Sequence, residues 1–221
     1  MAKRLITICV IFFVLAGSAN AGLVVYTDQA SWAAALSAPI NTINWDDLLL
    51  ANGSSQVILG DRYSGMAGSP TLSVDGSSHL FVIDPGPSYY QEDFIPVSGE
   101  NVFSPDDYPA SPEGVLTISF GTPMYALGAW FLDVEQDYDA TGIEIGETLY
   151  SFGLSQGDNS QSFLGIVSTT PFTTANIHMS SDPGGNGVGI DDVMYAVPVP
   201  AAVLLGMLGL SVAGIKLRKY A

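Results

Sequence analysis

Acidic side chains crowd one short stretch of this chain, between residues 133 and 144. Four of them alternate with other residues and a fifth follows: Asp133, Glu135, Asp137, Asp139 and Glu144. Oxygen ligands in such a series suit a hard cation such as Ca²⁺, and the spacing is that of positions one, three, five, seven and twelve of an EF-hand loop. Tyr138 stands where that loop needs glycine, so we reject an EF-hand. The stretch predicts either a calcium site in a loop between strands or a solvated acidic strand end.

A second set of carboxylates joins distant parts of the chain. Asp46 and Asp47 follow an early predicted strand, and Asp191 and Asp192 lie in the last one. If these two strands are neighbours, four carboxylates meet with only Arg62 as a counter-charge, and unpaired like charges at close range are costly. We predict a structural Ca²⁺ at this junction. The alternative is that one member of each pair faces solvent while the other caps a turn.

The stretch from Asp84 to Glu113 is rich in proline and aromatic residues and has little periodicity. A loop of this length inside a compact domain is usually functional or disordered, and its aromatic content argues against disorder. Tyrosine rings beside carboxylates suit stacking on sugar rings, so Tyr89, Tyr90 and Tyr108 are candidate ligand-binding residues. The alternative is a loop that packs around its own small core.

Residues for catalysis are sparse. The two histidines, His79 and His178, lie in separate predicted strands, whereas a zinc site needs three or four clustered ligands. A pair of carboxylates flanking a sugar, as in glycosidases, remains open from sequence. We predict no enzymatic activity, with a glycoside hydrolase or lyase as the less favoured alternative.

The elements that must position these residues are short strands. Asp28 to Leu36 predicts one helix, capped by Thr27 and ended by Pro39. Elsewhere Gly and Pro punctuate short segments rich in β-branched and aromatic residues, which is typical of a β-sandwich. The strands are predicted over 40–45, 56–59, 71–74, 79–83, 115–120, 126–133, 142–145, 148–152, 163–167, 173–179 and 189–195. We expect Trp45, Phe120, Trp130, Phe152, Phe163 and Ile190 to be buried.

Charge is distributed very unevenly along the chain. Of the six basic residues only Arg62 lies between Gly22 and Val197, where all 22 acidic residues lie, so this part has a formal net charge of −21. Phosphate binding needs basic patches, which excludes nucleic acid as a partner. Anionic membrane surfaces should repel this part of the chain as well.

The N-terminus predicts a secretory signal peptide over residues 1–21. Lys3 and Arg4 precede an apolar stretch of about twelve residues, and Ala19-Asn20-Ala21 is a small-x-small cleavage site. The apolar stretch is shorter than the roughly 20 residues of a spanning helix. Because the single cysteine, Cys9, lies within it, the mature chain has no thiol.

The C-terminus predicts a membrane anchor. The apolar run from Val199 to Ile215 would form a helix about 26 Å long, just enough for a thin bilayer. Lys216, Arg218 and Lys219 follow it and should stay in the cytoplasm, which leaves everything before Pro198 outside. The alternative is a buried core helix.

This C-terminal arrangement resembles the PEP-CTERM sorting signal, the tag read by bacterial exosortases. The resemblance covers residues 197–221: Val197-Pro198-Val199-Pro200, the apolar run and the basic tail, with Val199 at the family's Glu position. It implies an exosortase-like sorting enzyme in the inner membrane, removal of the helix, and display at the surface of a Gram-negative bacterium beside exopolysaccharide. Residues 22–196, including Tyr26–Trp32, Ala126–Phe131 and Gly189–Val193, resemble uncharacterised jelly-roll-like domains often attached to such tags.

These observations together predict a single antiparallel, jelly-roll-like β-sandwich with one N-terminal helix and a C-terminal transmembrane helix. We expect an exported, non-enzymatic surface or extracellular-matrix protein, with a carbohydrate-binding module as the alternative.

Overall fold

A computed structural model describes residues 22–50, 55–58, 60–74, 81–83, 94–104, 113–134, 139–157, 160–180 and 188–197. Within these ranges the chain forms one helix, α1 (Gln29–Ala35), and eleven antiparallel strands. The strands are β1 (Leu23–Tyr26), β2 (Ile40–Ile43), β3 (Ser55–Val57), β4 (Pro70–Val74), β5 (Phe81–Ile83), β6 (Val102–Ser104), β7 (Glu113–Leu132), β8 (Gly142–Ile145), β9 (Thr148–Ser151), β10 (Gln161–Ser180) and β11 (Gly189–Ala196). The prediction of a mostly β chain with one short helix is confirmed. None of the described helical residues belongs to a helix long and apolar enough to cross a bilayer.

Two long strands of 20 residues each, β7 and β10, pair with each other. The sequence predicted each of them as two separate strands, because Gly121–Pro123 and Pro171 interrupt the alternation. The register between the strands shifts twice, between Val167 and Phe172 and again between Phe172 and Thr174. The partners of these three residues on β7 are Ala126, Met124 and Ser119. Proline is tolerated at such irregularities because no ladder hydrogen bond is required there. Each strand therefore continues through its prolines instead of ending at them.

The irregularity divides the sheet into two halves. The first half has the order β9-β8-β10-β7-β4, and the second has β1-β10-β7-β11-β6-β5-β3, with β2 also paired to β11. Side chains of both halves belong to one buried cluster, which includes Leu116 and Ile118 from the first half and Leu127, Phe131 and Ile190 from the second. The arrangement is therefore sandwich-like, with a single main core.

Helix α1 covers part of the outer face of the second half. Asp28 caps it by accepting a hydrogen bond from the Ser31 N–H (2.8 Å), so the cap is Asp28 and not Thr27. The helix ends at Ala35, four residues before Pro39. Its Trp32 is fully buried against Phe163 and donates a hydrogen bond from Nε1 to the Ile166 carbonyl (3.2 Å). This bond fastens the helix to β10.

Burial follows the prediction at four of the six named aromatic and aliphatic positions. Trp45, Phe120, Phe163 and Ile190 are buried. Trp130 and Phe152 are only partly buried, since each sits at the margin of a cluster: Trp130 against Phe163, and Phe152 edge-on to Phe131.

Candidate functional site

The pairing of β2 with β11 brings three of the four distant carboxylates together. Ile43 lies opposite Val193, so the residues after β2 approach those at the start of β11. The hydroxyl of Ser98 lies between the two sides, 3.4 Å from Asp46 Oδ2 and 3.1 Å from Asp192 Oδ1. Asp46, Asp191 and Asp192 thus converge on one segment, residues 94–101, which we call the strap.

The carboxylates hold the strap by accepting its backbone N–H groups. Asp191 Oδ2 accepts from Val97 (2.7 Å) and Ser98 (3.0 Å), while Asp46 Oδ1 accepts from Glu100 (3.0 Å) and Asn101 (3.3 Å). Hydrogen bonds to an ionised acceptor are roughly twice as strong as neutral ones. The carboxylates are therefore satisfied largely by donors from the strap.

Both ends of the strap are anchored by buried side chains. Asn101 is 4% exposed, and its Nδ2 donates to the carbonyls of Trp45 (2.9 Å) and Leu48 (2.8 Å). Phe94 packs with Leu132 and Val102 in a separate small cluster. A β-carbon at Gly189 would lie 2.9 Å from the Phe94 ring, so that glycine makes room for the anchor.

The backbone at Asp192 is unusual. Its φ of 44° lies in the left-handed region, which residues other than Gly rarely adopt. The residue falls in an irregularity between Asp191 and Met194 in the pairing of β11 with β7, and such bulges re-aim side chains. Here Asp191 Oδ1 accepts the Asp192 N–H (2.8 Å), and both carboxylates reach the strap from consecutive positions.

Burial and mutual repulsion raise the pKa values of Asp191 and Asp192. Burial, with a contribution from the Asp192 charge, raises the pKa of Asp191 to about 6 even though it accepts three N–H bonds. Burial also raises the pKa of Asp192, and the charge of Asp46 adds to this. A carboxyl group that titrates near neutrality is typical of general acid catalysis, and Asp191 is fully buried under the strap. Its role here is to hold the strap.

We expect the domain to become more stable as the pH falls from 7.5 to 5. The pKa of Asp191 is about 6 in the folded state, against an ordinary value of 3.8. At a pH between these two values, Asp191 is protonated in the folded state and ionised in the unfolded state, so lowering the pH favours folding. The gain from Asp191 is on the order of 1 kcal/mol, measured as the free energy of unfolding in urea at both pH values. In Asp191→Asn the difference between the two pH values should shrink by this amount; an unchanged difference would contradict the assignment.

Asp47, the fourth carboxylate, lies apart from the strap. It forms an ion pair with Arg62 (2.7 Å), and both side chains are partly exposed. The Tyr63 hydroxyl donates to the Asn44 carbonyl (3.1 Å) and lies 3.4 Å from Asp47 Oδ1. The domain's single arginine therefore neutralises Asp47 and makes no ion pair with the Asp46, Asp191 and Asp192 group.

The residues of the acidic stretch are described only in part. Asp133 is buried with a left-handed φ of 61°, Asp139 is exposed, and Glu135 and Asp137 lie outside the described residues. Glu144 lies on β8, where its Oε2 is 2.5 Å from His178 Nε2 on the neighbouring strand β10. This hydrogen bond lowers the pKa of Glu144.

The remaining predicted site residues fall at or beyond the limits of the described chain. Val197 is described and packs against the main core. The other residues of the sorting signal and the candidate ligand-binding tyrosines lie outside the described residues: Pro198, Val199, Pro200, Lys216, Arg218, Lys219, Tyr89, Tyr90 and Tyr108.

One motif was missed at the sequence level. Gly153-Leu154-Ser155-Gln156-Gly157 has the Gly-x-Ser-x-Gly spacing of a hydrolase nucleophile elbow, which needs a strand before it and a helix after it. Here it follows β9 in a loop with no helix, and both glycines have positive φ (73° and 95°). The Ser155 hydroxyl accepts the Gly157 N–H (3.3 Å). The motif is a glycine turn.

The strap and its carboxylates form the most elaborate polar arrangement in the described part of the domain. Among those residues, no three His, Cys, Asp or Glu side chains are grouped so that they could hold a metal ion. The chain matched no protein-family model, no curated protein and no solved structure.

Proposed function

We propose that this chain is an exported, non-enzymatic surface or extracellular-matrix protein, sorted through its C-terminal tag. The observation that supports this most directly is where the sheet begins and ends. β1 starts at Leu23, just after the expected cleavage site at Ala21, and β11 ends at Ala196, just before the Pro-x-Pro step. Among the described residues, the paired strands thus occupy the interval between the two expected targeting segments.

The finer architecture belongs to the same proposal. The bent sheet is a jelly-roll-like sandwich, and residues 199–215 form a transmembrane helix with the basic tail in the cytoplasm. The precursor is held in the inner membrane, where an exosortase-like enzyme reads the tag, and the processed domain reaches the cell surface or the matrix.

Replacing both Pro198 and Pro200 by alanine should block processing and leave a membrane-retained precursor. The Pro-x-Pro step is the part of the tag that the sorting enzyme is expected to read, and the anchor itself is unchanged. The measurement is the mass and membrane association of the protein in its native host. Pro39→Ala, an exposed proline of the folded domain, is the control and should be processed normally. Normal processing of the double variant would count against the tag.

A carbohydrate-binding module is the second candidate, and the strap favours it. The strap fixes the chain between residues 84–93 and 105–112, which carry the three candidate tyrosines. Such a fixed base would present Tyr89, Tyr90 and Tyr108 for stacking on exopolysaccharide.

Alanine at these three tyrosine positions, compared with Tyr125→Ala as the control, tests retention of the protein on the producer's polysaccharide. Unchanged retention would eliminate this candidate, and release of reducing ends would instead favour a hydrolase or lyase.

Structural calcium remains a prediction at both carboxylate sets. In a domain of formal charge −21, a bound cation would relieve the repulsion between acidic side chains. If it binds only the folded state, chelation should lower the melting temperature by several degrees. A melting curve that chelation leaves unchanged would refute the prediction.

A further inference from the structure

The described residues that surround the point where the chain leaves the sheet have no charged side chains. They form what we call the exit rim, made of residues 22–23, 38–40, 65–70, 121–126, 168–172 and 196–197. None of these residues is Asp, Glu, Lys or Arg. In a chain with 22 acidic residues, such a gap is a feature of the surface to be explained.

Backbone pairing joins the segments of the exit rim into one end of the domain. Ala196, at the end of β11, lies opposite both Ile40 and Ala126. On one side the Thr169 N–H donates to the Gly22 carbonyl (3.0 Å). On the other side the Gly121 N–H donates to the Gly68 carbonyl (2.9 Å). The rim therefore lies at the end of the sheet where Val197, the last residue before the Pro-x-Pro step, leaves β11.

The carboxylates of the second half of the sheet lie at the other end of its strands. Asp191 and Asp192 begin β11, whereas Ala196 ends it. Asp46 follows β2, whereas Ile40 begins it. The exposed side chains of the rim are neutral. Tyr125 is 37% exposed and Ile40 is 38% exposed. Exposed as well are Pro39, before β2, and Thr122, Pro123, Thr170 and Pro171, at the irregularity of β7 and β10. The charge of this half is thus segregated to one end.

We propose that the exit rim rests on the outer surface of the bilayer that holds the C-terminal segment. This inference rests on the proposed membrane-held precursor. An anionic lipid surface repels an acidic domain over about a Debye length, so a tethered domain is most stable with the end that lacks acidic side chains toward the headgroups. Tyrosine and apolar side chains are suited to that interface. The acidic end then points outward, away from the membrane.

The test uses the chain from Gly22 to Ala221, which contains no cysteine because Cys9 is absent from it. Ala67→Cys places a single fluorophore on the rim, and Ser155→Cys places one at the opposite end, where Gln156 bonds to Val134 after β7. Each protein is reconstituted into vesicles of phosphatidylethanolamine and phosphatidylglycerol that contain a headgroup spin-label quencher. We expect strong quenching of the rim probe and little quenching of the distant probe.

Equal quenching at both positions, or stronger quenching at Ser155→Cys, would overturn the proposal. Adding Thr122→Asp and Thr170→Asp to the rim-labelled protein should abolish the quenching difference while the protein still floats with vesicles. The matched control, Leu154→Asp with Ser155→Asp, adds the same charge at the far end and should preserve rim quenching. A chain that fails to float with vesicles would refute the membrane anchor itself, which is a different outcome from a floating chain with the wrong orientation.

Discussion

Asn101→Ala should lower the free energy of unfolding by about 1–3 kcal/mol. Its buried amide donates to the carbonyls of both Trp45 and Leu48, and each lost hydrogen bond costs about 0.5–1.5 kcal/mol. The two carbonyls keep one donor each, the N–H groups of Leu48 and Leu50. The free energy is measured by urea denaturation. Because Asn101 ends the strap, limited proteolysis should also cut residues 94–101 faster in the variant.

Gln161→Ala is the matched control for this prediction. Its amide likewise donates to two carbonyls of the strap, those of Ile95 (2.9 Å) and Pro96 (3.0 Å), but at an exposed position. Water replaces the lost donor there, so the expected cost is below about 1 kcal/mol. Equal losses in the two variants would show that burial of the Asn101 amide does not determine the strength of the strap.

Gly165→Ala should destabilise the domain by about 2–3 kcal/mol through the helix. A β-carbon at this position would lie 2.6 Å from Trp32 Cδ1 and 2.7 Å from Phe163 Cε1. Both rings are buried, so relieving the contact pushes Trp32 off β10 and weakens its bond to the Ile166 carbonyl. Overpacking of this kind costs typically 1–3 kcal/mol. Urea denaturation gives the stability, and tryptophan fluorescence gives the environment of the ring.

Gly65→Ala provides the comparison for the helix prediction. Nothing lies within 4 Å of a β-carbon at Gly65, and its backbone is not in the left-handed region, so the change should stay within about 0.5 kcal/mol. If Gly165→Ala were as mild as Gly65→Ala, the close packing of α1 on the sheet would be refuted.

Local patterns in the sequence were sufficient for most of the secondary structure. Gly and Pro punctuation together with β-branched content placed strands at 142–145 and 71–74 almost to the residue. Two strands were not predicted because they lack alternation. β1 is a continuous apolar run next to the predicted signal peptide, and β6 is three residues within the proline-rich stretch. The continuity of β7 and of β10 was not predicted because their prolines suggest turns, whereas sheet pairing on either side keeps the chain extended.

The carboxylate cluster was partly predictable, and the strap was not. Placing the early and late strands side by side was enough to bring Asp46 near Asp191 and Asp192. The segment that fills the space between them comes from residue 94 onward, and nothing local marks Val97 or Ser98 as donors to distant carboxylates. Asn101 likewise looks like a turn residue in sequence, since its two acceptors lie about fifty positions earlier.

The sheet closes only when nearly the whole chain is present. Gly22 bonds to Thr169 across 147 positions, and β2 finds its partner in β11, the last strand. Contacts so distant in sequence make folding slow, because loop closure must precede the contacts that reward it. A nascent chain with this contact order stays unfolded through most of its synthesis, which is the state that a secretion channel accepts. The same topology that builds the domain thus delays its assembly, which would suit the proposed export.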